Sequence, residues 1–83
     1  VQGVSVFPNP NSGQVNLALS LPAATGTEWV LYDGLGRPAY RGTLATGQTE
    51  YVFELDRLPP GLYFWEATSE GRRVGSGKLV LQH

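Results

Sequence analysis

The sequence predicts an all-β domain, an immunoglobulin-like antiparallel β-sandwich of about seven strands. Eleven glycines and six prolines recur at intervals along the 83 residues. The segments between them alternate apolar and polar side chains, which is the period of a strand rather than of a helix. Short segments of this kind, separated by turn signals every ~8–12 residues, are typical of a sandwich. A chain of this length has room for one modest core, so we expect residues 1–83 to form a single domain.

The opening strand is predicted over residues 4–7. Pro8 and Pro10 end it, because proline cannot donate to a ladder and holds the preceding residue extended. Residues 11–13 complete the turn. The second strand has the clearest alternation in the chain, with one face buried and the other facing water. The residues predicted to be buried in it are Val15, Leu17, Leu19 and Leu21.

The third and fourth strands are predicted to form a hairpin. Trp29 and Leu31 share the inward face of the third strand. Residues 33–36, Asp-Gly-Leu-Gly, make a tight turn, because Asp bonds the backbone that follows it and Gly tolerates positive φ. The fourth strand, around residues 38–44, begins with a proline and is therefore predicted at a sheet edge.

Three more strands complete the prediction. The inward residues are Tyr51, Phe53 and Leu55 in the fifth strand and Tyr63, Trp65 and Ala67 in the sixth. Between these strands, Gly61 stands two residues before Tyr63, a spacing that resembles the tyrosine corner of such sandwiches, where the phenol bonds back to loop backbone. The last strand runs from about residue 72 to residue 81.

Catalytic and cofactor chemistry finds little support in the residues. The only histidine is His83, at the end of the chain, where packing cannot hold it as a base. Residues 75–78, Gly-Ser-Gly-Lys, depart from a phosphate-binding loop at Arg72 and Leu79, so a flexible or bulged β-strand is the better interpretation. The carboxylates fall on predicted solvent faces or in turns. We expect no enzyme activity, no metal and no cofactor.

Charge and composition limit the partners. The net charge is −1, and the six basic residues are scattered apart from Arg72 and Arg73, so we expect no nucleic-acid binding. No apolar run approaches the ~18 residues of a transmembrane segment. Cysteine is absent, so no disulfide stabilises the fold. Methionine is also absent, and we therefore expect the chain to be a piece of a larger protein. The oligomeric state stays open.

The aromatic residues allow two interpretations. A stacking platform for sugar rings could be formed by Trp29, Tyr51, Phe64 and Trp65. Trp29, Tyr51 and Trp65 share strand faces with aliphatic residues, however, which favours the core. Tyr32 and Phe64 lie on the opposite faces of their strands and are the better candidates for an exposed contact surface.

Four motifs in order resemble one family, the type A C-terminal sorting domain of proteins exported by the type IX secretion system of Bacteroidota. The opening motif is Val6-Phe7-Pro8-Asn9-Pro10, followed by Gly13 and the alternating second strand. Leu31-Tyr32-Asp33 with Gly36-Arg37 resembles the central turn of the family. Leu55 to Leu58 with Gly61-Leu62-Tyr63-Phe64 resembles its third block, and Lys78-Leu79-Val80 its closing block. Each motif alone is weak, but the series covers nearly the whole chain.

The resemblance implies a sorting signal. In that family, the domain directs an upstream cargo through the outer-membrane translocon with the help of shuttle proteins. A sortase-like peptidase then commonly removes the domain and couples the cargo to surface lipopolysaccharide. The protein would therefore be secreted or held at the cell surface. A carbohydrate-binding module and a passive structural sandwich of a surface protein remain the alternatives.

The matched positions divide into contact candidates and structural residues. The candidates for partner recognition are Arg37, Lys78, Leu79 and Val80. An ion pair with Asp33 explains the presence of Arg37 as simply as a contact role does. The closing motif is explained equally well if Leu79 and Leu81 pack the core and Lys78 is solvated. The positions expected to make turns and the tyrosine corner are Pro8, Asn9, Pro10, Gly13, Asp33, Gly36, Gly61 and Tyr63.

Overall fold

Seven strands form two packed antiparallel sheets in the computed structural model, which describes residues 3–7 and 13–82. The strands are β1 (Val4–Phe7), β2 (Gln14–Leu19), β3 (Thr27–Tyr32), β4 (Pro38–Thr43), β5 (Glu50–Glu54), β6 (Gly61–Ser69) and β7 (Arg72–Leu81). These described residues contain no helix. The predicted all-β sandwich is therefore confirmed, while the predicted turn at Pro8, Asn9 and Pro10 lies outside the described residues.

The chain crosses between the sheets rather than completing one before the other. One sheet has three strands in the order β1-β2-β5, and the other has four in the order β4-β3-β6-β7. All pairings are antiparallel. Strand β4 lies at an edge of the four-stranded sheet, which confirms the position predicted from Pro38. Strand β7 forms the opposite edge.

The inner faces of the two sheets make one core, and the period-two alternation predicts it well. The fully or nearly fully buried apolar residues of the strands are Val15, Leu17, Leu19, Trp29, Leu31, Tyr63, Trp65, Ala67, Leu79 and Leu81. Leu44 and Leu55, each directly after a strand, are buried with them. Tyr51 and Phe53 are half-buried against this cluster.

The prediction that Leu21 is buried was wrong. Its side chain is 52% exposed, although it continues the alternation of Val15, Leu17 and Leu19. Strand β2 ends at Leu19. The backbone N–H groups of Leu19 and Ser20 still donate to the carbonyl oxygens of Thr49 and Gly3, in register with the ladders on either side, and Leu21 comes after these last bonds. Once the chain leaves the ladder, an alternating pattern no longer fixes which face a side chain takes.

Trp29 joins the two sheets. It is completely buried, and its ring stacks on Phe53 of the three-stranded sheet with centroids 5.3 Å apart and planes 9° apart. Tyr40 meets both rings edge-on. Gly42 leaves room for this arrangement, since a Cβ there would lie 2.7 Å from the Phe53 ring. The indole Nε1 of Trp29 has no hydrogen-bond partner among the described residues, so ring packing has to outweigh that cost.

Glycines of β7 leave space for the ring of Trp65, as Gly42 does at the Trp29 ring. An added Cβ at Gly77 would lie 2.8 Å from the Trp65 indole nitrogen, and one at Gly75 would lie 3.0 Å from Val4 of β1. The pairing of β6 with β7 shifts between Ala67 and Thr68, which leaves Val74 as an extra residue. The Gly-Ser-Gly segment thus belongs to a β-strand that is bulged, as predicted, with the bulge directly before the segment at Val74, and the two glycines leave room for neighbouring side chains.

The tyrosine corner predicted from Gly61 and Tyr63 is present. The Tyr63 hydroxyl donates a hydrogen bond of 2.6 Å to the carbonyl oxygen of Pro59, four residues earlier. Tyr63 is 5% exposed. Burial raises the pKa of its phenol above the usual range, and the negative charge of Asp33 acts in the same direction. This bond fixes the loop that carries the chain from β5 to β6.

Replacing Tyr63 by Phe should lower the free energy of unfolding by about 1 kcal/mol, because one hydrogen bond is lost and the Pro59 carbonyl is left without its donor. Equilibrium urea denaturation measures the change. Tyr32→Phe is the matched control, since that phenol lies half-buried on the outer side of the four-stranded sheet. Equal stability of the Tyr63→Phe variant and the unchanged domain would show that the corner contributes nothing.

Candidate recognition surface

Four apolar side chains lie together on the outer face of the four-stranded sheet. The cross-strand register pairs Tyr32 with Phe64 and Leu62 with Val80. Residues opposite one another in a ladder point to the same side, and Tyr63, between Leu62 and Phe64, points into the core. Leu62 is 47% and Phe64 38% exposed, while Tyr32 and Val80 are half-buried. We call these four residues the apolar cluster.

Two ion pairs lie on the same outer face, on one side of the apolar cluster. Arg41 Nη1 lies 3.6 Å from Glu28 Oε1, and Arg73 Nη1 lies 3.8 Å from Glu66 Oε2. Both pairs are largely exposed, so they contribute little to stability. Val30 stands between Arg41 and Glu66 in the register and is nevertheless only 5% exposed. Long side chains that lie along the sheet surface can cover an aliphatic residue in this way.

Charge is divided unevenly between the two sheets. The four-stranded sheet with its hairpin turns carries five of the six basic residues and four acidic ones, a net charge of +1. The three-stranded sheet with the β5–β6 loop carries Arg57 and three acidic residues, a net charge of −2. The five basic residues are Arg37, Arg41, Arg72, Arg73 and Lys78. The apolar cluster thus lies on the more basic side of the domain.

The turn after β3 is built around Asp33. Its Oδ1 accepts the backbone N–H groups of Leu35 and Arg37, each at 2.9 Å, and its Oδ2 accepts the Nε–H of Arg37 at 3.0 Å. Gly36 takes the positive φ of 83° that the turn requires. The backbone N–H of Arg37 is the main cause of a lowered pKa at Asp33, aided by Leu35 and by the guanidinium.

Arg37 is therefore both paired and accessible. Its side chain remains 71% exposed while it bonds Asp33. The turn lies at the end of the sheet where β3 ends at Tyr32 and β6 begins at Gly61, next to the apolar cluster. The simple explanation of Arg37 as a partner of Asp33 holds, and the contact role predicted for it stays a prediction.

The closing motif presents its three residues differently. Lys78 is exposed and pairs in register with Phe64, so it lies on the outer face beside the apolar cluster. Val80 belongs to the cluster itself. Leu79 points inward and is completely buried with Leu81. The alternative in which these leucines pack the core is thus what the structure shows, and Leu79 can serve a partner only by holding β7 in place.

The other matched glycines have structural positions. Gly13 has φ of 125°, and a Cβ on it would lie 3.2 Å from the Cβ of Asp56. Gly61 has φ of 149° at the start of β6. Trp29 and Trp65 are buried, so neither is available as a platform for sugar rings.

Clefts lie between the strands of the described chain. One, of about 230 Å³, lies where β2, β3 and the β6–β7 hairpin approach each other, and mainly apolar side chains and two hydroxyl residues line it. Within the described part of the chain, no three acidic, histidine or cysteine side chains come together as a metal site. The same residues include no helix that could cross a membrane.

Comparison with known families decides what kind of domain this is. A family described as a secretion system C-terminal sorting domain matches residues 5–82. The chain belongs to this family. The family acts as the sorting signal for type IX secretion, so the function of the domain is to direct secretion or cell-surface export through the type IX machinery. A search of curated proteins found no match.

The family match spans the whole sandwich. The matched residues begin one residue inside β1 and end one residue after β7, so every strand takes part. A family of sorting signals is not a catalytic family.

Part of the candidate surface follows from the sequence. The alternation of side chains placed Tyr32 and Phe64 on outward faces, and the same alternation would have placed Leu62 there. The neighbours of these residues could not be predicted. The pairing of Phe64 with Lys78 depends on the register of β6 against β7, which the bulge at Val74 shifts by one residue.

The sorting domain should lose stability in acid through Asp33. Because folding lowers the pKa of Asp33, its contribution is present above the unfolded pKa and is lost as pH falls, over roughly pH 5 to pH 2. We expect the thermal midpoint of the unchanged domain to exceed that of Asp33→Asn at neutral pH, and the difference to shrink in this range. A difference that stays constant down to pH 2 would contradict this role.

Proposed function

We propose that this sandwich is the folded C-terminal signal of a larger secreted protein and that components of the outer-membrane translocon and its shuttle proteins read its surface. The family match over the whole sandwich carries the proposal. A folded domain without cysteine needs no disulfide chemistry in the compartment where it folds. It can therefore form beside any cargo.

The closing strand is the element that we expect to be recognised. Strand β7 is the last strand of the four-stranded sheet that the described residues form. Lys78 and Val80 lie on its outer face, and buried Leu79 fixes their direction. A partner can use this strand by strand addition or by docking on the outer face, and Arg37 lies at the same end of the sheet.

Removal by a sortase-like peptidase is the last part of the proposal. Support comes from the beginning of the described chain. Gly3 is exposed, and the four-residue strand β1 after it lies at the edge of its sheet. A peptide that enters the domain here would be accessible to a peptidase without unfolding of the core.

The test fuses residues 1–83 to the C-terminus of a reporter that is exported to the periplasm of a type IX-competent bacterium. We expect the reporter to reach the cell surface or the medium, and to stay in the periplasm of a matched strain that lacks the translocon. Protease accessibility of the reporter on intact cells measures the outcome. A reporter retained in the periplasm with a folded domain would contradict the proposed function, as would export without the translocon.

A further inference from the structure

We infer that the outer face of the four-stranded sheet docks on a protein of the secretion machinery through an apolar groove edged by carboxylates. The apolar cluster would fill the groove, and the basic residues of the four-stranded sheet, Lys78 among them, would meet the acidic edge. This inference rests on the proposed function and specifies the chemistry of the partner. It concerns side chains on the sheet face, not the backbone edge of β7.

The apolar cluster is unusual for the solvent face of a sheet. Antiparallel sheets with one face in water normally carry polar residues there. Here the two ladder pairs Tyr32–Phe64 and Leu62–Val80 adjoin along β6, so four large apolar side chains are contiguous. A contiguous exposed patch of this kind marks a contact site more often than scattered single residues do.

The three-stranded sheet provides an internal comparison. Its outer face also exposes Phe7 and Val52, at 47% and 55%. The ladder places Asn16 between them, and the other outward positions are mostly polar. Exposed apolar residues therefore occur on the outer faces of both sheets. The larger group, whose members pair directly across strands, lies on the four-stranded sheet, where aromatic and aliphatic side chains can fill one groove together.

The charges around the cluster select an acidic partner. The carboxylates on this face, Glu28 and Glu66, each lie within 4.0 Å of an arginine. Lys78 stands directly beside Phe64 in the ladder. The opposite sheet is net negative, so an acidic surface is attracted to this face and repelled by the other.

The same charges argue against a second copy of this domain as the occupant. Two copies packed face to face through the apolar cluster would bring their basic residues together, and like charges across an interface are unfavourable. A partner with carboxylates around an apolar groove satisfies both features of the face.

The experiment uses the reporter fusion with two matched sets of variants. Phe64→Thr and Leu62→Thr remove apolar side chains from the cluster, and Val52→Thr removes one of similar exposure from the other sheet; threonine suits a strand. Lys78→Glu reverses a charge beside the cluster, Lys78→Arg keeps it, and Arg57→Glu makes the same change in net charge elsewhere. Thermal unfolding of each purified domain establishes that it folds.

We expect Phe64→Thr, Leu62→Thr and Lys78→Glu each to reduce reporter secretion about tenfold, as the loss of a central contact does at an interface. The controls Val52→Thr, Lys78→Arg and Arg57→Glu should be secreted like the unchanged domain. Equal secretion of all folded variants would overturn the inference and leave the proposed function standing. Failure of the unchanged domain to direct secretion would overturn both.

Size-exclusion chromatography of the purified domain at several concentrations tests the rival occupant. The inference predicts a monomer at every concentration. A dimer that dissociates on Phe64→Thr would overturn the inference, because the face would then be occupied by a second copy.

Discussion

The packing of Trp29 between the two sheets is the constraint on which the rest of the structure depends. Its ring is completely buried and stacks on Phe53 across the sandwich, and Gly42 leaves the space that this stacking needs. Because side chains alternate along a strand, committing Trp29 and Leu31 to the core commits Tyr32 to the outer face. The core thereby sets which residues lie on the outer face of the domain.

Buried residues also fix the outward side chains of the last strand, β7. Gly77 admits the Trp65 ring, and Leu79 and Leu81 fill the core beside it, so Lys78 and Val80 are held outward next to Phe64 and Leu62. An edge strand fixed in this way is structurally part of the core and still accessible along its outer side. Both properties are needed if, as proposed, the machinery reads the surface of a folded domain.

Much of the fold follows from the sequence because burial in a two-layer sandwich has the period of the strand itself. The bounds of β1, the edge position of β4 and the tyrosine corner at Tyr63 were all predictable from local residue types. Leu21 was predicted wrongly because an alternating pattern does not reveal where a ladder ends. The candidate site was only partly predictable. Phe64 could be placed on the outer face, but its pairing with Lys78 depends on the register of β6 against β7. The difference in net charge between the two sheets depends on which sheet each strand joins, and both are long-range properties.

The measurement that tests the central claim most directly compares export with folding. Leu79→Ala truncates a completely buried side chain and should lower the free energy of unfolding by about 2–5 kcal/mol, which is much of the stability of a small domain. Leu35→Ala is the control, because the side chain of Leu35 is 79% exposed. If the folded surface is the signal, the amount of reporter at the cell surface should follow the folded fraction of each variant, with loss for Leu79→Ala and none for Leu35→Ala. Full export of a domain that circular dichroism shows to be unfolded would contradict the account.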